Sequence, residues 1–159
     1  MGRQQPIELF MPPNMLKAKV GGSGGLDMAA IKRAESAMNG LKSTFSDMAG
    51  DAVTALVAAQ KAYAAKADPA SRGGLLRAAH DIKGLAGTFD FPLMGRVAGS
   101  LSRLVGEAPA DKLLPVKLVE AHIAAVQAIH RKSITGMDDR VTLALLAELE
   151  AQVGAALKA

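Results

Sequence analysis

His80, Lys83, Gly84 and Gly87 stand together in "RAAHDIKGLAGTFD", Arg77 to Asp90, and between them supply a nucleophile, a cation and two residues without side chains. An exposed imidazole, with an ordinary pKa of about 6.5, is a competent nucleophile near neutrality. Side chains on a helix lean toward its N-terminus, so Lys83, one turn on, is aimed back at the His80 ring, while Arg77, one turn before, leans away. Each glycine within a helix costs about 1 kcal/mol relative to alanine. In a chain where alanine is plentiful, Gly84 and Gly87 therefore read as clearance, a bare strip of backbone that lets another molecule reach the ring. The set suits reversible carriage of an anionic electrophile. A dianionic phosphoryl group attached to the ring nitrogen would have part of its charge neutralised by Lys83, through position and not proton transfer. A metal would want a second histidine or a carboxylate one turn along, where Lys83 and Gly84 stand instead, so no metal is expected here.

At about 100° per residue, Leu76, Arg77, Lys83, Gly84 and Gly87 fall within about 60° of His80, while Leu75, Ala78, Ile82, Leu85 and Phe89 lie broadly opposite. The second set can serve a core. His80 then projects to solvent, with Leu76, Arg77, Gly84 and Gly87 as a docking surface around it.

The elements that must hold this helix are legible as helices too. Aromatic residues make up only 3% of the chain, and alanine, leucine, methionine and valine dominate, which points to an all-α class with an aliphatic core. Residues 1–26 hold three prolines and the run "GGSGG" and read as a flexible tail, although Ile7 to Leu16 is apolar enough to dock on something. Residues 27–159 read as one helical bundle. From Asp27, a candidate N-cap, apolar residues recur at helical spacing through Met28, Ile31, Met38, Leu41, Phe45, Met48, Ala52, Leu56, Ala59 and Tyr63. This is one helix or two, with Asn39-Gly40 the favoured break and Gly50 the next.

Asp68-Pro69 forces a turn, and the histidine helix is predicted from Pro69 or Ser71 to Phe89. A helix from Pro92 to Gly106 follows, with Asp90 as its candidate cap and Leu93, Val97, Leu101 and Leu104 on one stripe. Its Gly95, Gly99, Ser102 and Gly106 form a small-residue stripe that fits a close helix contact, a partner surface or a weak solvated face, the last being the favoured reading. Pro115 opens a helix with Val116, Val119, Ile123 and Val126 in phase; "TGMDD" then breaks it and supplies capping acids. The last helix buries Leu145, Leu146, Leu149, Val153 and Leu157. His122 and His130 read as packing and helix-end residues. Short connections between such helices fit an antiparallel bundle.

Several functions are disfavoured. The net charge is +4, but the bases are interspersed with acids and no aromatic platform accompanies them, so nucleic acid is not an expected partner. An acidic protein suits the surface better. There is no cysteine, no long apolar run and no signal-peptide core, and the protein is expected in the cytoplasm without a membrane anchor. Neither a P-loop nor a kinase-type glycine-rich loop is present.

The stretch "AAHDIKGLAGTF" resembles the signature of histidine phosphotransfer (HPt) domains, in which a histidine is followed by a lysine three on, a glycine four on and a small residue seven on. His80, Lys83, Gly84 and Gly87 match it one by one. The resemblance covers about Leu41 to Glu107, leaving the tail and the last helix outside. It implies a four-helix antiparallel bundle with an extra terminal helix, in which His80 takes a phosphoryl group from the aspartyl phosphate of one receiver domain and passes it to another. On this reading the partners are response-regulator receivers or a hybrid histidine kinase. Mg²⁺ belongs to the receiver, the chain has no cofactor of its own, and it acts as a monomeric carrier and not an enzyme. Leu85 departs from the family's usual small residue, but at about 140° from His80 it is expected to face the core. Asp81 is the other departure, because an acid directly after the histidine resembles the dimerising helices of sensor histidine kinases. A dimeric, kinase-derived phosphotransferase is therefore one alternative. A non-catalytic interaction bundle, using Leu143 and the apolar tail, is another.

Overall fold

A computed structural model describes residues 28–88 and 90–158, apart from the side chains of residues 42 and 43. Five helices account for most of them: α1 (Met28–Ala65), α2 (Pro69–Leu85), α3 (Pro92–Glu107), α4 (Val116–Arg131) and α5 (Arg140–Ala156). No strand occurs among the described residues. The chain divides into two units, Met1–Met38 and Asn39–Ala159. In the first, residues 28–38 are helical; the tail and the Asp27 cap lie outside the described residues. The second holds the bundle.

The helix α1 is continuous, with no break at Gly40 or Gly50. A glycine weakens a helix without ending it, and here Thr44 and Thr54 each donate a hydroxyl hydrogen bond to the carbonyl of Gly40 and Gly50, at 3.1 and 2.9 Å. The core-facing residues of α1 are Ala49, Val53, Leu56 and Tyr63, whereas Leu41 and Met48 are exposed. The burial is thus rotated from the expected stripe. Gly50 is one reason: His130 lies over it, with Cε1 3.5 Å from where a Cβ would stand. His130 Nε2 is 3.4 Å from the Ser46 carbonyl, and the ring packs against Phe91 with centroids 6.0 Å apart.

The start of α2 is tightly specified. Asp68 accepts from the Ser71 N–H at 2.8 Å and Ser71 Oγ accepts from the Asp68 N–H at 3.1 Å, a capping box directly before Pro69. The Ser71 N–H, with help from Lys66, holds the Asp68 carboxyl down at about 2. The helix ends at Leu85, four residues short of the predicted end. The Phe91 N–H then reaches back to the Ala86 carbonyl at 2.9 Å while Asp90 adopts φ 61°, a left-handed turn that closes the segment. Asp90 therefore finishes α2 and does not cap α3, whose N-cap is the buried Phe91. Asp139 does cap α5, accepting from the Thr142 N–H at 2.9 Å.

The helix α3 is the centre of the bundle. It packs against α2, α4 and α5, and α4 packs against α5. Leu93, Val97, Leu101 and Leu104 are fully buried, joined by Met94, Ala98 and Val105. The small-residue stripe of α3 is the seam that receives α2, and not a solvated face. A Cβ at Gly95 would stand 2.8 Å from that of Ala86, and one at Gly106 would stand 3.6 Å from Leu76 Cδ1. Bare backbone on α3 lets α2 come that close. Arg72 locks the other end of the seam, donating to the carbonyls of Val105 at 2.8 Å and Pro109 at 2.9 Å, and to that of Ala108. One guanidinium on α2 thus satisfies the orphan carbonyls at the end of α3.

His122 is completely buried. Its Nδ1 lies 2.7 Å from the Leu118 carbonyl, so Nδ1 carries the proton and Nε2 accepts from the Ser100 hydroxyl at 3.0 Å, joining α4 to α3. Burial pushes its pKa below the ordinary histidine value. The Tyr63 hydroxyl accepts from the Leu114 N–H at 3.1 Å and ties the loop before α4 to α1. In α5, Leu146, Leu149 and Val153 are buried as expected, but Leu145 is 42% exposed. Leu143, offered as an exposed interaction residue, packs against the core instead.

Candidate functional site

The helix α2 buries Leu75, Ala79 and Ile82, with Ala86 following in the turn. These recur at intervals of three and four and form one stripe. It is turned toward α3 relative to the expected stripe, so Ala78 is only partly buried and Leu85 is 41% exposed. The expectation that Leu85 faces the core is therefore corrected: it lines a groove on the α1 side with Ala55, Ala59, Arg77 and Asp81. Phe89 lies outside the described residues.

His80 is exposed, roughly 130° around the helix from the buried stripe. Gly84 and Gly87 are exposed beside it, and a Cβ at either would meet nothing within 4 Å. Neither glycine is demanded by packing. Gly87 lies past the helix end, in the closing turn, where it carries no helix penalty. Gly73, seven residues before His80 and on the same face, has the same open space above it. It extends the bare strip to the other side of the ring, and the periodicity that singled out Gly84 and Gly87 could have found it.

Lys83 is exposed, but its stem is laid on α3: Cδ, Cε and Cγ lie 3.5 to 3.8 Å from where a Cβ would stand on Gly99. The lysine is thus steered by the bare backbone of the neighbouring helix, a constraint that leaning alone does not include. Leu76 is half-buried in the seam against Gly106, whereas Arg77 is exposed on the α1 side. The four docking candidates therefore flank His80 on both sides. Asp81 is exposed and shares the α1-side groove with Arg77.

Such an arrangement presents one nucleophilic ring on a helix, with a cation one turn on and, among the described residues, open space over the glycines beside it. A second molecule can bring an electrophile to the ring without displacing any part of the bundle. Among the described residues no group of histidines and carboxylates could hold a metal ion, and no helix is long and apolar enough to cross a membrane.

The chain matches the model of the Hpt domain family over residues 40–156. That span takes in α4 and α5, which the sequence resemblance left uncertain or outside. No curated protein and no solved structure matches it. With an all-α bundle and a family match running from α1 through the last helix, the chain belongs to the Hpt domain family, the phosphoryl carriers that relay phosphate between receiver domains and do not act as kinases.

Proposed function

We propose that His80 is the phosphoacceptor of this carrier. The observation that carries the reading is the open face around it: an exposed imidazole on a helix whose neighbours Gly84 and Gly87 serve no packing purpose. A ring nitrogen attacks the phosphorus of a receiver's aspartyl phosphate. The P–N bond forms as the P–O bond to the aspartate breaks, the aspartate leaves as a carboxylate, and the proton of the other ring nitrogen goes to water. Delivery to a second receiver is the reverse. Lys83 offsets part of the phosphoryl charge, an exposed pairing worth no more than about 1 kcal/mol, which suits a group that must leave again.

Leu76, Arg77, Gly84 and Gly87 form the surface on which the receiver sits, and Mg²⁺ enters with the receiver. The partners are response-regulator receivers, a hybrid histidine kinase, or both, and the carrier works as a cytoplasmic monomer without a cofactor of its own. Incubation with a panel of radiolabelled phospho-receivers is expected to place an acid-labile, base-stable phosphate on the chain, and His80→Gln is expected to abolish it. No transfer from any receiver would sink the assignment. Solution mass is the companion measurement: a dimer would return the kinase-derived alternative.

A further inference from the structure

On the α3 side of the His80 face lies an open cleft of about 590 Å³, walled by Lys83 of α2 and Gly87 in the turn after it, by Arg96, Gly99 and Arg103 of α3, and by Glu150 of α5. Three cations face one carboxylate there. Arg96 Nη2 is 3.1 Å from Glu150 Oε1, and Arg103 Nε is 3.1 Å from Glu107 Oε2. Both pairs are about half exposed, so each contributes roughly 0–1 kcal/mol and can exchange its carboxylate for another at little loss. Lys83 is in no ion pair among the described residues.

The groove on the other side of α2 is different. Its walls are Ala52, Ala55, Ala59, Ala78 and Leu85, with Arg77 and Asp81 balancing each other in charge. His80 thus stands between a basic cleft and an apolar, neutral groove. A partner that brings Mg²⁺ to the phosphoryl group must hold it with oxygen ligands, carboxylates among them. That ion offsets the carboxylates that hold it, so the charge the cleft can receive comes from an acidic segment beside the metal site, which has one favourable side on which to land, that of Lys83, Arg96 and Arg103.

We infer that the cleft of Lys83, Arg96 and Arg103 receives an acidic segment of the receiver that exchanges phosphate with His80. When no receiver is bound, Glu150 occupies Arg96 in place of one of that segment's carboxylates. This rests on His80 being the phosphoacceptor. It adds an orientation, with the receiver's acidic edge toward α3 and α5, and it gives the last helix a part in partner choice. Charge placed in this way acts mainly on encounter rate and on rejection of wrong partners.

The test is transfer from a receiver domain charged with acetyl phosphate and then freed of it, to the full chain, to Arg96→Gln/Arg103→Gln and to Glu150→Gln, over a range of salt. Phosphoramidate serves as a second donor that needs no docking. Its P–N bond breaks, ammonia leaves, and a new P–N bond forms on the imidazole. The double variant is expected to lose about tenfold or more in second-order rate at low salt, a loss that shrinks toward 1 M, where the Debye length is about 3 Å. Glu150→Gln is expected to gain about two- to threefold by freeing Arg96. Urea unfolding curves for each variant show whether the fold is kept. A double variant that transfers at the parent rate, a loss independent of salt, or a slower Glu150→Gln chain would overturn the inference. Failure of phosphoramidate to label His80 in the parent chain counts instead against the phosphoacceptor assignment.

Discussion

Gly84 forgoes helix stability without easing any internal contact, which separates it from Gly95, where a side chain has no room. That contrast makes the clearance argument testable at one residue. Gly84→Ala puts a methyl group into open space within α2 and is expected to raise stability by about 1 kcal/mol, the ordinary helix-propensity difference. Gly84→Leu is expected to leave the fold intact while slowing transfer from a phospho-receiver, because its side chain stands on the approach to His80. Chemical denaturation and transfer kinetics on the same two variants check both halves. Unchanged transfer in the leucine variant would show that the bare strip is not where the receiver sits. Lys83 reads differently once its surroundings are known. Its stem rests on Gly99, so the backbone of α3 sets the position of the charge as much as the geometry of α2 does.

At the scale of the elements, the α2–α3 pair is the unit that holds the site. Arg72 closes one end of the seam and the Ala86–Gly95 contact closes the other. Gly95→Ala would bring two Cβ atoms to 2.8 Å, and a Cβ cannot rotate away, so the helices must part. Overpacking of this kind costs about 1–3 kcal/mol. Gly99→Ala meets only the flexible Lys83 stem at 3.5 Å and is expected to be nearly neutral. Urea unfolding of the two variants should rank them in that order, and equal stabilities would contradict the seam. The sequence made this pair legible in part. Leu93, Val97, Leu101 and Leu104 shared a stripe because helical periodicity reports burial directly. The small residues opposite stood out as a stripe but left a helix contact and a solvated face both open, since an absent side chain looks the same whether it faces water or another helix. The burial phase of α1 was hidden for a related reason. With alanine on most faces, Ala49 and Ala52 are equivalent in periodicity, and the choice is made by His130 lying over Gly50. Asp90 shows the same limit at a helix end, because a residue that caps α3 and one that ends α2 are spelled alike.

For the whole molecule, the buried His122–Ser100 pair couples the centre of the bundle to pH at a distance from the exposed face of His80. His122 sits in the interior with both ring nitrogens engaged, one donating to Leu118 and one accepting from Ser100. A proton added to Nε2 would oppose the Ser100 hydroxyl donor and place a charge where burial penalises it. The folded chain therefore resists protonation at pH values where the unfolded chain, with a histidine near 6.5, accepts it. Stability is complete above about that value and falls as pH drops through it toward the lower, folded-state pKa, since the unfolded state binds the extra proton. Carboxylates titrate lower, near 4, so the window between about pH 7 and 5 isolates histidine. Unfolding midpoints in urea are expected to decline across that window in the parent chain. In His122→Gln, which keeps a polar group in place but cannot titrate, the midpoint is lower at pH 7 and the decline is shallower. His80 and His130 remain in both chains, so the difference between the two slopes belongs to His122. Parallel slopes would mean that the buried imidazole takes its proton as readily folded as unfolded, and that the Ser100 and Leu118 contacts do not hold it neutral.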